Sequence, residues 1–231
     1  MNGEMTLKVI ARMKSPYPGK FGIPRQSGRV PEAVSRIVFE PEYRNPDALR
    51  GLEGFSHLWI IWQFSEAESN GWSPTVRPPR LGGNRRMGVF ATRSPYRPNS
   101  IGLSCVEIKN IVLSSPEGPV LEVCGGDLMD GTPIYDIKPY LPTADLIPHA
   151  KGGFAGPVAE YALEVSDPQR YFTEIPESDA RLIRGVLAED PRPAYQRDPE
   201  RLYSFECGGY HISFRVEEKR LILCDLKKIE H

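Results

Sequence analysis

The chain has 231 residues, a formal net charge of −1, and 40% hydrophobic and 26% charged residues. That length buries a full core without staples, and the near-neutral total excludes a strong non-specific nucleic-acid binder. No apolar run reaches the roughly 20 residues of a membrane span, and the start, MNGEMTLKVIARM, lacks the long apolar region of a secretory leader, so the sequence reads as cytoplasmic.

Twenty-three prolines and twenty-one glycines point to many turns, and so to short strands more than long helices. Residues 6–13 (TLKVIARM) alternate apolar and polar as a half-buried strand does. A turn-rich, aromatic and basic loop follows from Ser15 to Gly28, then a short strand from Arg36 to Phe39. Asn45-Pro46-Asp47 predicts a capped, brief helix through about Leu52. Ser56 to Ser65 (SHLWIIWQFS) is the most apolar run and reads as a central strand, with His57, Trp59 and Ile61 on one face. His57 there is either a core histidine satisfied by backbone or a ligand contact. Met87 to Ala91 and Ile101 to Val112 are further strands, and Val120 to Cys124 returns against the second across a Pro/Gly turn. Thr132 to Tyr140 is another, with Asp136 and Lys138 on one face.

Six or so short strands with one minor helix predict a closed or nearly closed β-barrel over residues 1–142, since closure removes edges. Residues 143–160 have the composition of a linker. Residues 161–231 form a small α+β unit. It holds a strand over Tyr161–Val165, an amphipathic helix over Glu177–Asp190 with Ser178 as its cap, a hairpin over Gly208-Gly209 and a strand over Leu221–Leu226.

The charge is unevenly placed. Thr75 to Leu103 holds six arginines (Arg77, Arg80, Arg85, Arg86, Arg93, Arg97), no lysine and no acid, a +6 island set against −7 elsewhere. Arginine alone suits bidentate recognition of phosphate, carboxylate or base edges. The alternative is a surface loop with scattered ion pairs, although a solvated face usually mixes both signs. Tyr17, Phe21, Trp72 and Tyr96 interleave with the basic loops, as base-stacking aromatics do in RNA-binding surfaces. Asp127 and Asp130 lie among Gly125, Gly126 and Gly131. They are either turn residues or groups that hold a cationic ligand or a ribose, or act as a base. No G-x-G-x-x-G, P-loop, H-E-x-x-H or G-x-S-x-G motif is present. The four cysteines are far apart with no C-x-x-C pair, and the four histidines lack metal-ligand spacing, so no metal is expected and the thiols read as reduced core residues.

The ordered set SPY…PRQ (Ser15–Gln26), RGLEGFSHLWI (Arg50–Ile60), RPPRLGG (Arg77–Gly83), GVFATRSPYRPN (Gly88–Asn99), DGTPIYDIKPYLP (Asp130–Pro142) and DPRPAY (Asp190–Tyr195) closely resembles the TrmO, or TsaA-like, family. The resemblance covers most of the chain. It implies a mainly β, barrel-cored methyltransferase, not a Rossmann one, that uses S-adenosylmethionine. It also implies a homodimer that methylates N6 of N6-threonylcarbamoyladenosine next to the anticodon of tRNA. Carried over by motif, the cofactor would contact Pro24, Arg25, Gln26, His57, Leu58, Arg93, Leu103 and the turn Asp127, Leu128, Met129 and Asp130. Arg77, Arg80, Tyr96, Lys138, Arg192 and Tyr195 are the expected substrate contacts, and Asp136, Lys138 and Tyr140 the candidates for catalysis. Arg192 or Lys138 is expected to clamp the threonyl carboxylate, unless Arg192 merely bonds nearby backbone. Rival readings of the same residues are a non-catalytic RNA-binding module, or a methyltransferase or hydrolase acting on a small anionic metabolite.

Overall fold

The computed structural model describes residues 5–66, 72–78, 85–158, 162–192 and 198–230. In chain order the strands of the first half are β1 (Ala11–Lys14), β2 (Val34–Phe39), β3 (His57–Gln63), β4 (Thr75–Val76), β5 (Met87–Gly88), β6 (Ile101–Val112), β7 (Val120–Cys124) and β8 (Pro133–Pro139). Six of them close a barrel in the order β1-β2-β7-β6-β3-β8, with every pair antiparallel. Along β3 the inward residues Leu58, Ile60 and Trp62 are buried and the outward His57, Trp59 and Ile61 half-buried, the alternation that the pleat imposes. Met13, Ile37, Val106, Leu121, Val123, Leu128 and Ile134 complete the barrel core.

The expected helix after Asn45 is two 3-10 turns, Pro46–Leu49 and Leu52–Gly54. Asn45 does cap the first, its side chain accepting from Asp47 N–H at 3.0 Å. Gly51, at φ +89°, breaks the run between them. The expected strand over Met87–Ala91 stops at Gly88, and Val89–Ala91 is a 3-10 turn that buries Val89.

The stretch expected as a linker starts as ordered structure. A single turn, α1 (Pro142–Asp145), is tied to the barrel where Asp145 Oδ2 accepts from Trp59 Nε1 at 3.1 Å and from Leu141 N–H at 2.8 Å. Beyond it come β9 (Glu164–Ser166), α2 (Glu177–Ala188), β10 (Tyr203–Cys207), β11 (Tyr210–Glu217) and β12 (Arg220–Lys228). They make a four-stranded sheet in the order β10-β11-β12-β9, and α2 lays Leu182, Ile183, Val186 and Leu187 into its core. Ser178 is not the cap of α2. The helix begins at Glu177, so Ser178 is already its second residue; Pro176 occupies the cap position without a side-chain bond, and the Ser178 hydroxyl donates to Asp179 at 3.2 Å.

One segment belongs to both halves. The loop between β1 and β2 sends Tyr17, Val30 and Ala33 into the C-terminal core, with Ile23 packed against it. Pro16 C=O accepts from Gly208 N–H at 2.8 Å, and Arg29 grips Glu189 through Nε and Nη2, the shortest contact 2.7 Å. Gly22 sits at φ +82° beneath Phe205, where a Cβ would lie 2.4 Å from the ring. A barrel-half loop is thereby folded by the C-terminal unit.

Candidate active site

The turn after β7 is fixed by backbone contact with the same loop. Gly28 N–H donates to Gly125 C=O and Gly125 N–H to Ala33 C=O, at 2.8 and 3.0 Å. Gly125 has φ +72°, and a Cβ there would stand 3.1 Å from Gly28 Cα. Only glycine permits both the left-handed backbone and this approach. Asp130 closes the turn, its side chain accepting from Ser15 N–H at 2.9 Å and its N–H donating to Tyr17 C=O at 2.8 Å.

Between these anchors sits Asp127. Trp62 Nε1 donates to Ser104 Oγ at 2.9 Å, and Ser104 donates to Asp127 Oδ1 at 2.5 Å. Burial pushes the Asp127 carboxyl above its ordinary range, opposed by the Ser104 hydrogen bond, its own backbone, the charge of Arg93 and the Ser27 N–H. Arg93 Nη1 donates to Gln26 Oε1 at 2.6 Å, and Gln26 Nε2 to Arg25 C=O at 2.6 Å. Three stretches distant in sequence therefore meet at one mouth of the barrel: the Pro24–Gln26 loop, Arg93 and the 127–130 turn. The cluster offers a desolvated carboxylate beside exposed guanidinium groups, a donor set for a small ligand carrying both a cation and a carboxylate.

The other expected contacts are placed differently. Leu128 is fully buried in the barrel core, and so holds the turn in place from within. Leu58 is likewise a core residue. His57 and Leu103 point to the outer wall of the barrel, where Ile61 pairs with Leu103 and Asp136, and Trp59 with Cys105 and Lys138. The main chain of Leu103 nonetheless adjoins Ser104, and so the mouth. Asp136 and Lys138 form an ion pair at 3.1 Å on this wall. Tyr140 packs near Trp59 and His57 with ring centroids 5.9 and 6.3 Å away, and its N–H donates to His57 C=O. His57 Nδ1 is 2.9 Å from Ser56 Oγ. The catalytic candidates thus gather on the wall with His57, apart from the mouth.

Among the substrate candidates, Arg77 and Tyr96 are exposed beside the β4–β5 hairpin, and Arg80 and Tyr195 lie outside the described residues. Arg192 lines a cavity of about 290 Å³ shared with Lys20, Phe21 and Arg25, between the first loop and the end of α2. Its guanidinium engages the Asp190 carboxylate twice, at 2.7 and 2.9 Å. Sequence reasoning missed Ser104, the polar residue inside the barrel that orients Asp127. The signal was available: a serine at an inward position of an otherwise apolar strand needs a buried partner.

All four cysteines are free thiols, and burial pushes Cys207 up to about 12. Among the described residues no group of three or more His, Cys, Asp or Glu is arranged to hold a metal ion, and no helix is long and apolar enough to cross a membrane.

A closed barrel with a charged mouth and an arginine-only flank defines a class, that of barrel proteins handling a charged small ligand beside an anionic partner. Comparison with known proteins narrows it. The tRNA-methyltransferase O N-terminal domain matches residues 12–146, and the TrmO C-terminal domain matches 162–229. The chain is 44% identical over 217 residues to the tRNA (adenine(37)-N6)-methyltransferase of Escherichia coli K12, covering 90% of this chain and 92% of that one. It is 42% identical over 224 residues to a Pseudomonas aeruginosa protein described as an inferred S-adenosylmethionine-dependent methyltransferase, covering 94% and 95%. A crystal structure of TrmO from P. aeruginosa superposes with a TM-score of 0.77 at 30% identity, covering 97% of each chain. The chain belongs to the TrmO family.

Proposed function

We propose that this protein methylates N6 of adenosine 37 in tRNA with S-adenosylmethionine as donor, the acceptor being the threonylcarbamoyl-modified base beside the anticodon. The observation that carries the reading is the convergence of the Pro24–Gln26 loop, Arg93 and the 127–130 turn on the half-buried Asp127, in a chain that belongs throughout to this family.

The mouth fits the donor. Arg25 and Arg93 suit its carboxylate, the Asp127 carboxylate suits its cationic end or its ribose, and the backbone of Asp127–Asp130 lines the turn. When bound, S-adenosylmethionine supplies an electrophilic methyl group on a sulfonium. The chain's own task is positioning, since alignment of donor and acceptor supplies much of such an acceleration, and removal of the proton from N6. Asp136, Lys138 and Tyr140 are the proposed proton-handling group. Lys138, exposed and bound through one contact, and Arg192, held by Asp190, are the proposed clamps for the threonyl carboxylate. The arginine flank meets the phosphates of the anticodon loop, and we read the protein as cytoplasmic. We read the protein as a homodimer. The wall exposes Leu103 and Ile101, and because wall and mouth lie apart within one chain, our reading has one copy's wall serve the other's mouth.

The direct test is incubation with methyl-labelled S-adenosylmethionine and bulk tRNA, then mass analysis of the nucleosides. Label in the threonylcarbamoyl adenosine is expected, and its absence there rejects the proposal. For the shared site, an Asp127→Ala variant mixed with an Asp136→Ala variant should recover part of the activity that each lacks alone. No recovery, with subunit exchange verified, rejects the shared site.

A further inference from the structure

The short β4–β5 hairpin places together two aromatic rings that stand exposed among the described residues. Thr75 pairs with Gly88 and Val76 with Met87, and Val89 N–H closes the open end onto Pro74 C=O at 3.0 Å. Val89 turns inward and is buried, so Phe90 turns outward. Trp72 enters from the other strand and lies beside it, the rings 6.4 Å apart and 25° from parallel. That is stacking geometry. Yet Trp72 is 54% exposed and Phe90 73% exposed. An ordered aromatic pair left in water marks a binding surface more often than a packing remnant.

The surroundings select the occupant. Every charged residue from Thr75 to Leu103 is arginine, and Arg85 and Arg86 stand exposed just before the return strand of the hairpin. A second copy of this face would meet like charge with like charge across a symmetric contact. An anionic polymer with flat, apolar faces between its charges matches both features. We propose that the Trp72–Phe90 pair is a stacking platform for one unpaired base of the RNA, next to arginines that hold its phosphates. The platform reads no hydrogen-bond edge, so it selects single-stranded over duplex RNA without selecting sequence. This deepens, and rests on, the reading of the protein as a tRNA methyltransferase.

The test compares full-length wild type with Trp72→Ala, Phe90→Ala and Trp72→Phe, using bulk tRNA and a short single-stranded RNA as probes. Each alanine variant is expected to bind both RNAs about tenfold more weakly, while Trp72→Phe stays within about twofold because a ring remains. RNA is expected to quench tryptophan fluorescence in wild type, and Trp72→Phe to lose that quench while still binding. This readout stands even if an alanine variant folds poorly. Unchanged affinity in both alanine variants, with wild type methylating tRNA, overturns the platform and leaves the methyltransferase reading intact. With the short RNA as probe, a quench as large in Trp72→Phe as in wild type does the same, since Trp59 on the Lys138 wall accounts for a partial quench only. A change in sedimentation in place of RNA affinity shows that a second copy covers the rings and overturns the platform. A wild type that neither binds nor methylates tRNA overturns both.

Discussion

Two loops frame the mouth of the barrel, and they are held in opposite ways. The Ser15–Ala33 loop is pinned on both sides: Tyr17, Val30 and Ala33 are buried in the C-terminal core, Arg29 is paired with Glu189, and backbone bonds run to Gly125, Asp130 and Gly208. Among the described residues, the Thr75–Ser100 loop presents Arg77, Arg85, Arg86 and Arg93 outward. Among the described residues its bonds to other segments are sparse, with Arg93 to Gln26 as the clearest, and most others are internal, such as Arg86 to Thr75 and Arg97 to Thr92. The first loop has the construction of a preorganised small-molecule site, where ordering happens at folding and not at binding. The second has that of an electrostatic surface for a larger partner, where side chains adapt on contact. Substitutions in the first should therefore register in folding as well as in cofactor affinity, and those in the second, apart from Arg93 at the mouth, in RNA binding alone.

The sharpest break of that contrast is Gly125→Ala. A left-handed backbone at a non-glycine residue costs about 1–3 kcal/mol. Here the new Cβ would also press on the Gly28 main chain, which cannot rotate away as a side chain can. A clear fall in melting temperature with a loss of cofactor affinity by calorimetry is expected. An unchanged melting temperature would mean that the loop is not built in by folding. Next comes Arg29→Ala, which leaves Glu189, only 11% exposed, without its bidentate partner. Arg29 is partly solvated, so the loss is put at about 1–3 kcal/mol. Denaturant unfolding checks it, and Arg29→Lys should recover only part, because lysine cannot form the fork.

How far the site could be read in advance follows the same divide. The arginine flank is a matter of composition and was legible at once. The barrel followed from period-two alternation in SHLWIIWQFS and its neighbours. The convergence of Gln26, Arg93 and Asp127 came only from family resemblance, because no local pattern encodes a contact across 67 residues. The loop's burial against Phe205 and Glu189 was hidden for the same reason: SPYPGKFGIPRQSG looks solvent-exposed, and only tertiary packing makes Tyr17 and Gly22 interior. Ser178 was misjudged as a cap because cap preference is a local signal, and the chain's entry through Pro176 outweighed it.

Asp127 sits where the two loops touch, and its ionisation tests which neighbour dominates. Its folded-state carboxyl is raised, so between the unfolded and folded values the native state binds more protons. Stability from this group is thus intact below that range and falls as pH rises through it. Asp127→Asn removes the term. Relative to the variant, wild type should be less stable at about pH 7 than at about pH 4, measured by denaturant midpoints at each pH. Cofactor binding should weaken in the variant throughout. A wild type that gains on the variant with rising pH would mean that the Ser104 hydrogen bond, the backbone of Asp127 and the charge of Arg93 together outweigh burial, and that the mouth is wetter than its geometry indicates.

The smallest expected effect, and the one that isolates the second loop, is Arg86→Ala. The side chain is exposed, and its hydrogen bond to Thr75 Oγ1 is long, at 3.4 Å. Removing it should leave stability within about 0.5 kcal/mol of wild type and cofactor affinity unchanged. If the guanidinium meets one phosphate of the anticodon loop, the dependence of log affinity on log salt should flatten by roughly 0.7–0.9. The weakening should be uniform across tRNAs, because a phosphate contact carries no sequence information. A flattened slope with an unmoved melting temperature would establish the flank as a surface apart from the folded frame. A lowered melting temperature with an unchanged slope would make it a structural arginine, and the contrast between the loops would then fail at its weaker end.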